Sequence, residues 1–196
     1  MFDTDTELLL GVKNGDDQCF KKLYQKYYQK ILNFIFRFIP HRQDAEDIAQ
    51  EVFLRVYFGA KTFSPRAKFS TWLYKITVNR CFSHHKKIKR EQERFINESN
   101  LPAGGEDANP VNLENHPSSL SPPDEHIMQN ELHQEIQSAL NKLPPDQKMA
   151  FILLEYSGLS YEEIARISGA STKAVERRIY HARKKLKSLL KPYVSS

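Results

Sequence analysis

Little in this chain of 196 residues points to covalent or metal chemistry. It has two cysteines, Cys19 and Cys81, standing 62 positions apart with neither a C-x-x-C nor an H-x-x-x-C spacing. They read as two free thiols in a reducing compartment. His84 and His85 are adjacent, and neighbouring helical residues point about 100° apart, which does not suit one shared ion. No apolar run approaches the roughly 20 residues of a membrane span. The longest cluster, "ILNFIFRFI", is cut by Asn33 and Arg37 at helical spacing and reads as core. The start, "MFDTDTELLL", is acidic and lacks the basic flank and cleavage site of a secretory signal, so a cytoplasmic protein is expected. An enzyme acting on nucleic acid would need a nucleophile, a metal cluster or a phosphate loop, and none is visible. The expectation is a protein that works without catalysis, metal or cofactor.

Charge of one sign is also missing, segment by segment. From Lys61 to Arg90 there are nine Lys or Arg and no Asp or Glu. From Phe95 to Asn141 there is no Lys or Arg, while eight acids accumulate. From Arg166 to Lys191 nine basic residues face the single acid Glu176. An ordinary solvated surface mixes signs, so two segregated basic blocks point to two contacts with a polyanion.

Between those blocks, "AGGEDANPVNLENHPSSLSPPDE" is rich in Pro, Asn, Ser and Gly and has no periodicity. It reads as a flexible acidic linker over 97–124, dividing the chain into 1–96 and 125–196. Both flanks have helical period and neither alternates with period two, so an all-α fold of two small helical domains is expected. In the first, Leu8 to Val12 suggests a short helix, and Asp16 and Asp17 cap a longer one whose stripe includes Phe20, Leu23, Tyr27, Ile31, Phe34 and Phe38. Pro40 ends it. A third helix is expected over about 44–58 with Gly59 as its stop, and a fourth from a cap at Ser70 or Thr71. After the linker, Ile127, Leu132, Ile136 and Leu140 mark a helix stopped by "LPP", and "DQKMAFILLEYSG" marks another. "SYEE" at Ser160 to Glu163 is a capping box. Its short helix ends near Ser168-Gly169, and Ser171 or Thr172 caps a last helix with Val175, Ile179, Ala182, Leu186 and Leu190 inward.

A capped short helix, a Gly-containing turn and a second capped helix form a helix-turn-helix. The second helix would enter the major groove with its first turns against base edges. Lys173, Glu176, Arg177, Tyr180 and His181 then face the groove, and Arg178, Arg183 and Lys184 face the phosphates. Arg is suited to guanine and Glu to cytosine, while the remaining cations supply affinity without sequence information.

Two features upstream stand apart. On a helix, Asp44, Asp47 and Glu51 share one side with Gln50, opposite Ile48, Val52 and Val56; the face is either a protein-docking surface or simply solvated. Further on, Phe63, Phe69, Trp72 and Tyr74 alternate with Lys61, Arg66, Lys68, Lys75 and Arg80. Rings beside a cationic track are what unpaired bases require. The competing reading places several of these rings in the core, with Leu73, Ile76 and at least one of Phe69 and Trp72 inward.

"DAEDIAQEVFLRVY", "FSTWLYKITVN" and "LNKLPPDQKMAFILLEYSGLSYEEIARISGASTKAVERRIYHARKKL" together resemble the extracytoplasmic-function sigma factors of bacterial RNA polymerase, in order and from about Asp5 to Leu190. The resemblance implies that Asp44, Asp47, Gln50, Glu51 and Phe53 dock on the clamp helices of the polymerase largest subunit. It implies that the segment from Lys61 to Arg90, with Ser70, Asn79, Lys86 and Lys87 joining the residues above, opens the −10 element on the non-template strand. Ser171, Thr172 and the helix that follows would read the −35 duplex, and an anti-sigma factor is an implied partner. Many members carry a small residue, a base and an Arg where this chain has Lys173, Glu176 and His181. The other class of reading is a stand-alone helix-turn-helix regulator whose first domain dimerises or senses a ligand. Promoter elements about 25 base pairs apart lie roughly 85 Å from each other. A flexible linker of about 30 residues spans near 30 Å on average, so a scaffold must hold the domains apart.

Overall fold

A computed structural model describes residues 3–65, 67–99 and 125–194. Among them the chain is all-α, with α1 (Thr4–Lys13), α2 (Asp17–Phe38), α3 (Arg42–Gly59), a 3₁₀ turn (Ala60–Thr62), α4 (Phe69–Ser99), α5 (Glu125–Asn141), α6 (Pro145–Glu155), α7 (Tyr161–Ser168) and α8 (Thr172–Val194). Most of the expected linker, from residue 100 to 124, lies outside the described residues, as do Arg66 and the side chains of Ile127 and Leu132.

Local chemistry starts and stops these helices. Asp3 caps α1 by accepting from the Thr6 amide at 3.0 Å. Asp16 caps α2 by accepting from Gln18 N at 2.9 Å. The last helical bond of α2 is Ile39 N to Ile35 O, and Pro40 follows with no amide to donate. The third helix begins earlier than its carboxylates suggest, because His41 Nδ1 accepts from the Asp44 amide at 3.4 Å and starts α3 at Arg42. Gly59 belongs where α3 meets α4: a Cβ there would lie 3.2 Å from the Trp72 ring. The expected cap of α4 by Ser70 or Thr71 is replaced by something the local sequence does not show. The helix starts at Phe69, whose amide donates to the hydroxyl of Thr6 in α1 at 3.3 Å, and Thr71 is buried.

The first domain packs α1 to α4 around Leu9, Leu23, Ile31, Phe34, Val52 and Leu73, all nearly or fully buried. Each such side chain contributes about 1.5–3 kcal/mol. In the second, Val175 and Ile179 of α8 pack with Ile152, Leu153 and Ile164. A smaller cluster joins Leu140 of α5 to Ala182 and Leu186 of α8. The two domains are not separate bodies on a string. Met149, Ile152, Leu153 and Ile164 are continuous with the core of the first domain. α6 and α5 pack on α2, and α7 packs on α4.

Lys148 sits at that junction, only 6% exposed. Its ammonium donates to Phe38 O at 2.8 Å and to Asn141 Oδ1 at 2.7 Å. Burial pushes its pKa down from 10.5 to about 8. The titratable groups around it are Cys81, whose thiol burial pushes up to about 12, and His85 of α4, whose imidazole burial pushes down. Because the folded pKa of Lys148 lies below the unfolded one, the unfolded chain binds more protons between the two values. The stability contributed at Lys148 is therefore constant below pH 8 and rises with pH from about 8 towards 10.5. Unfolding of Cys81 works in the opposite direction, so the difference between wild type and Lys148→Met isolates the effect. That difference in thermal midpoint is expected to grow in favour of wild type between pH 8 and 10; a flat difference counts against the buried-ammonium assignment.

Candidate nucleic-acid and protein contact faces

On α3, Asp47 and Gln50 are exposed, and neither side chain bonds to another described residue. Asp44 and Glu51 are half-buried and engaged. Asp44 lies 3.3 Å from His41 Nδ1 and 3.4 Å from His84 Nε2 of α4. Glu51 accepts from Arg55 at 3.0 Å on its own helix and pairs closely with Arg80 of α4. Arg80 Nε is buried with no hydrogen-bond partner among the described residues, so Glu51 is what holds that guanidinium. The carboxylate row therefore combines a free pair with two residues that clamp α3 to α4.

Phe53 does not belong on this face. It is 2% exposed, and its ring meets Tyr24 at 4.9 Å and Tyr28 at 5.9 Å on α2. One step from Val52, it falls on the inner surface. Leu54 and Phe58, at 58% and 65% exposure, are what the sequence reading passed over. They sit beside Trp72, Ile76 and Asn79 around an open groove of about 590 Å³. Their spacing of i and i+4, off the Ile48–Val52–Val56 stripe, was the available signal.

The cations of this segment lie mostly at the surface, and most of its rings do not. Lys61, Lys68, Lys75, Asn79, Lys86 and Lys87 are exposed, Ser70 and Arg80 are half-buried, and Arg66 lies outside the described residues. Phe63, Phe69 and Tyr74 are core residues. Phe69 meets Tyr27 edge-on at 5.3 Å, and Tyr74 meets Phe34 at 5.5 Å. Their faces are used inside the bundle, which removes them as base platforms. Trp72 is half-buried against Phe63 at 5.0 Å and is the ring left at the surface of this set. Leu73 is buried and Ile76 half-buried.

The helix-turn-helix is built as its sequence indicates. Ser160 accepts from the Glu163 amide at 3.2 Å, and Glu163 accepts from Ser160 N at 3.0 Å. Gly169 ends α7 at φ 66°, the left-handed conformation that favours glycine. Ser171 accepts from Ala174 N at 3.2 Å and opens α8. Lys173, Glu176, Arg177, Tyr180, His181 and Lys184 are exposed, with Tyr180 at 62%; Ser171 is exposed and Thr172 half-buried. Arg178 and Arg183 are tethered to α6, the former to Asp146 at 3.1 Å and the latter to Glu155 at 2.6 Å. The outer stripe of α8 is thus left to Lys173, Arg177, Tyr180 and Lys184, at helical steps of three and four.

Among the described residues, no cluster of His, Cys, Asp and Glu could hold a metal ion, and no helix is long and apolar enough to cross a membrane. Two family descriptions match: sigma-70 region 2 over residues 23–91 and sigma-70 region 4 over residues 133–186. The chain is 32% identical over 188 residues to the RNA polymerase sigma-H factor of Pseudomonas aeruginosa, covering 96% of this chain and 94% of that one. It is 31% identical to the ECF RNA polymerase sigma-E factor of Escherichia coli, covering 97% and 96%. Among solved structures, RpoE in complex with the anti-sigma factor NepR from Bartonella quintana matches with a TM-score of 0.64 at 26% identity, over 88% of this chain and 96% of that one. CnrH, in complex with the cytosolic domain of CnrY, shares the fold with a TM-score of 0.69 at 24% identity, over 99% and 100%. With both regions matched in order and the relatives aligned nearly end to end, the chain belongs to the extracytoplasmic-function sigma factors, which direct core RNA polymerase to promoters for transcription initiation.

Proposed function

We propose that the work of this sigma factor is divided among three surfaces: docking on 1–96, strand opening on the same domain, and duplex reading on 125–196, with 97–124 as the connecting linker. Asp47 and Gln50 dock on the clamp helices of the polymerase largest subunit, supported by Asp44 and Glu51, which also brace α3 against α4. The track of Lys61, Lys68, Lys75, Asn79, Lys86 and Lys87, joined by Ser70, Arg80 and the ring of Trp72, holds the non-template strand of the −10 element. The start of α8 reads the −35 duplex through Lys173, Glu176, Arg177, Tyr180 and His181, with Ser171, Thr172, Arg178, Arg183 and Lys184 on phosphates. The protein acts in the cytoplasm with polymerase and contributes binding, not a catalytic step. An anti-sigma factor is a partner, as NepR is for RpoE.

The observation that carries this reading is the pairing of a cationic track from Lys61 to Arg90, with no acid in that stretch of sequence, with an exposed stripe on α8. Both are contacts for one polyanion. Purified protein and core polymerase, tested on a fork-junction promoter library, should open a defined −10 sequence lying a fixed distance from a defined −35 sequence. Protein alone should bind duplex weakly. Tight binding to a palindromic duplex without polymerase would favour the stand-alone regulator and sink this assignment.

A further inference from the structure

The contacts between the domains carry more than packing. An α-helix leaves its last carbonyls without intrahelical donors. In α2 the shortage is built in, since Pro40 has no amide to bring back. The donors come from the other domain. Gln137 Nε2 of α5 donates to Arg37 O at 2.9 Å, and Lys148 Nζ of α6 donates to Phe38 O at 2.8 Å. A cation at the negative end of a helix dipole is favourable. Lys148 also lies 5.3 Å from the Phe38 ring centre, and the Arg37 guanidinium lies 4.1 Å from that of Tyr156. No described carboxylate forms an ion pair with Lys148, so a buried ammonium is balanced by neutral oxygens and a ring face alone. Such a contact offsets its own desolvation only partly. It joins the domains beside their shared apolar cluster and a Lys68–Glu163 ion pair at 4.0 Å, and its polar groups regain water when the domains part.

We infer that Gln137 and Lys148, by capping α2 from the other domain, form a latch that keeps the free sigma factor closed and slows its engagement of polymerase. The inference rests on the assignment of the −10 and −35 surfaces above. With α7 packed on α4, the two DNA surfaces belong to one body whose radius of gyration is about 16 Å for a compact chain of this length. Promoter elements roughly 85 Å apart cannot both be met by that body. Engagement requires the caps on Arg37 O and Phe38 O to be released, after which solvent hydrates both carbonyls and the ammonium.

The test compares full-length wild type with Gln137→Ala and with Gln137→Ala/Lys148→Ala, neither of which touches an assigned DNA or polymerase contact. Small-angle scattering of the free proteins should show about 16 Å for wild type and about 23 Å for the double variant, with the domains separated by the linker. Circular dichroism should show unchanged helix content. Association with core polymerase, followed by fluorescence, should be about tenfold faster for the double variant, because the closed population no longer reduces the competent fraction. Gln137 is half-exposed, so its single variant keeps the fold and must move both readouts in the same direction by less. If the double variant loses helix, the single variant decides. Unchanged scattering in a folded variant overturns the latch, and open scattering without faster association overturns its inhibitory role. Failure of the surface assignment would appear separately, as wild-type protein and polymerase that open no promoter.

Discussion

Asp47→Ala combined with Gln50→Ala is expected to weaken binding to core polymerase by about 3 kcal/mol, roughly 150-fold, and to leave the thermal midpoint of the free protein unchanged. The two effects separate because of how α3 is built. Asp47 and Gln50 are exposed and bond to no other described side chain, so removing them costs the fold nothing comparable. Glu51 is a poorer probe. Its loss would strip Arg80 of its carboxylate, when Arg80 Nε has no other hydrogen-bond partner among the described residues, and would loosen α3 from α4. Asp44, set between His41 and His84, has the same drawback in milder form. A double variant at 47 and 50 that still supports promoter-specific transcription at wild-type protein concentration would place the docking surface elsewhere. Leu54 and Phe58, exposed on the same helix, would then be the next residues to replace.

Arg177→Ala is expected to cost about 1–3 kcal/mol at one base pair of the −35 element and to relax preference there. The structure narrows the choice to this arginine. Arg178 and Arg183 are held by Asp146 and Glu155, whereas Arg177 is exposed and forms no ion pair with a described residue. A planar guanidinium free of a carboxylate can bond guanine through two donors at once. Lys184→Ala serves as the contrast, because a phosphate contact carries no sequence information. Its loss should weaken all −35 variants alike and lower the salt slope by about 1. Competition binding of the reconstituted holoenzyme across single-base −35 variants reads both. Equal weakening by Arg177→Ala on every variant would assign it to the backbone instead.

Much of the helical frame was legible because caps and stops are local. Asp16, Pro40, Ser160 and Gly169 each sit within a few residues of the boundary they set. The start of α4 was not legible, because its cap is Thr6, 63 positions earlier. The site was legible in its charge and less so in its rings. The lysines from Lys61 to Lys87 are exposed, as most lysines are, so that basic block could be read directly from charge. An aromatic ring is equally at home on a base or in a core, and only packing assigned Phe63, Phe69 and Tyr74 to the second. Docking of the domains on each other was hidden for a further reason. Periodicity shows that α6 has a buried side without showing what buries it, and the residue that makes the contact, Lys148, looks like surface. Its acceptor lies 110 positions away.

The hydroxyl of Thr6 that receives the first amide of α4 ties two distant parts of the chain into one event. Until α1 is seated, the helix that carries the cationic track lacks its N-terminal partner, and the Phe69 amide has only solvent. The seating of α1 and the ordering of the start of α4 are therefore expected to be coupled. Exchange of the Phe69 amide with deuterated solvent should follow the undocking of α1, at the other end of the domain's sequence. The helix that carries Lys75, Lys86 and Lys87 thus has its beginning fixed by α1.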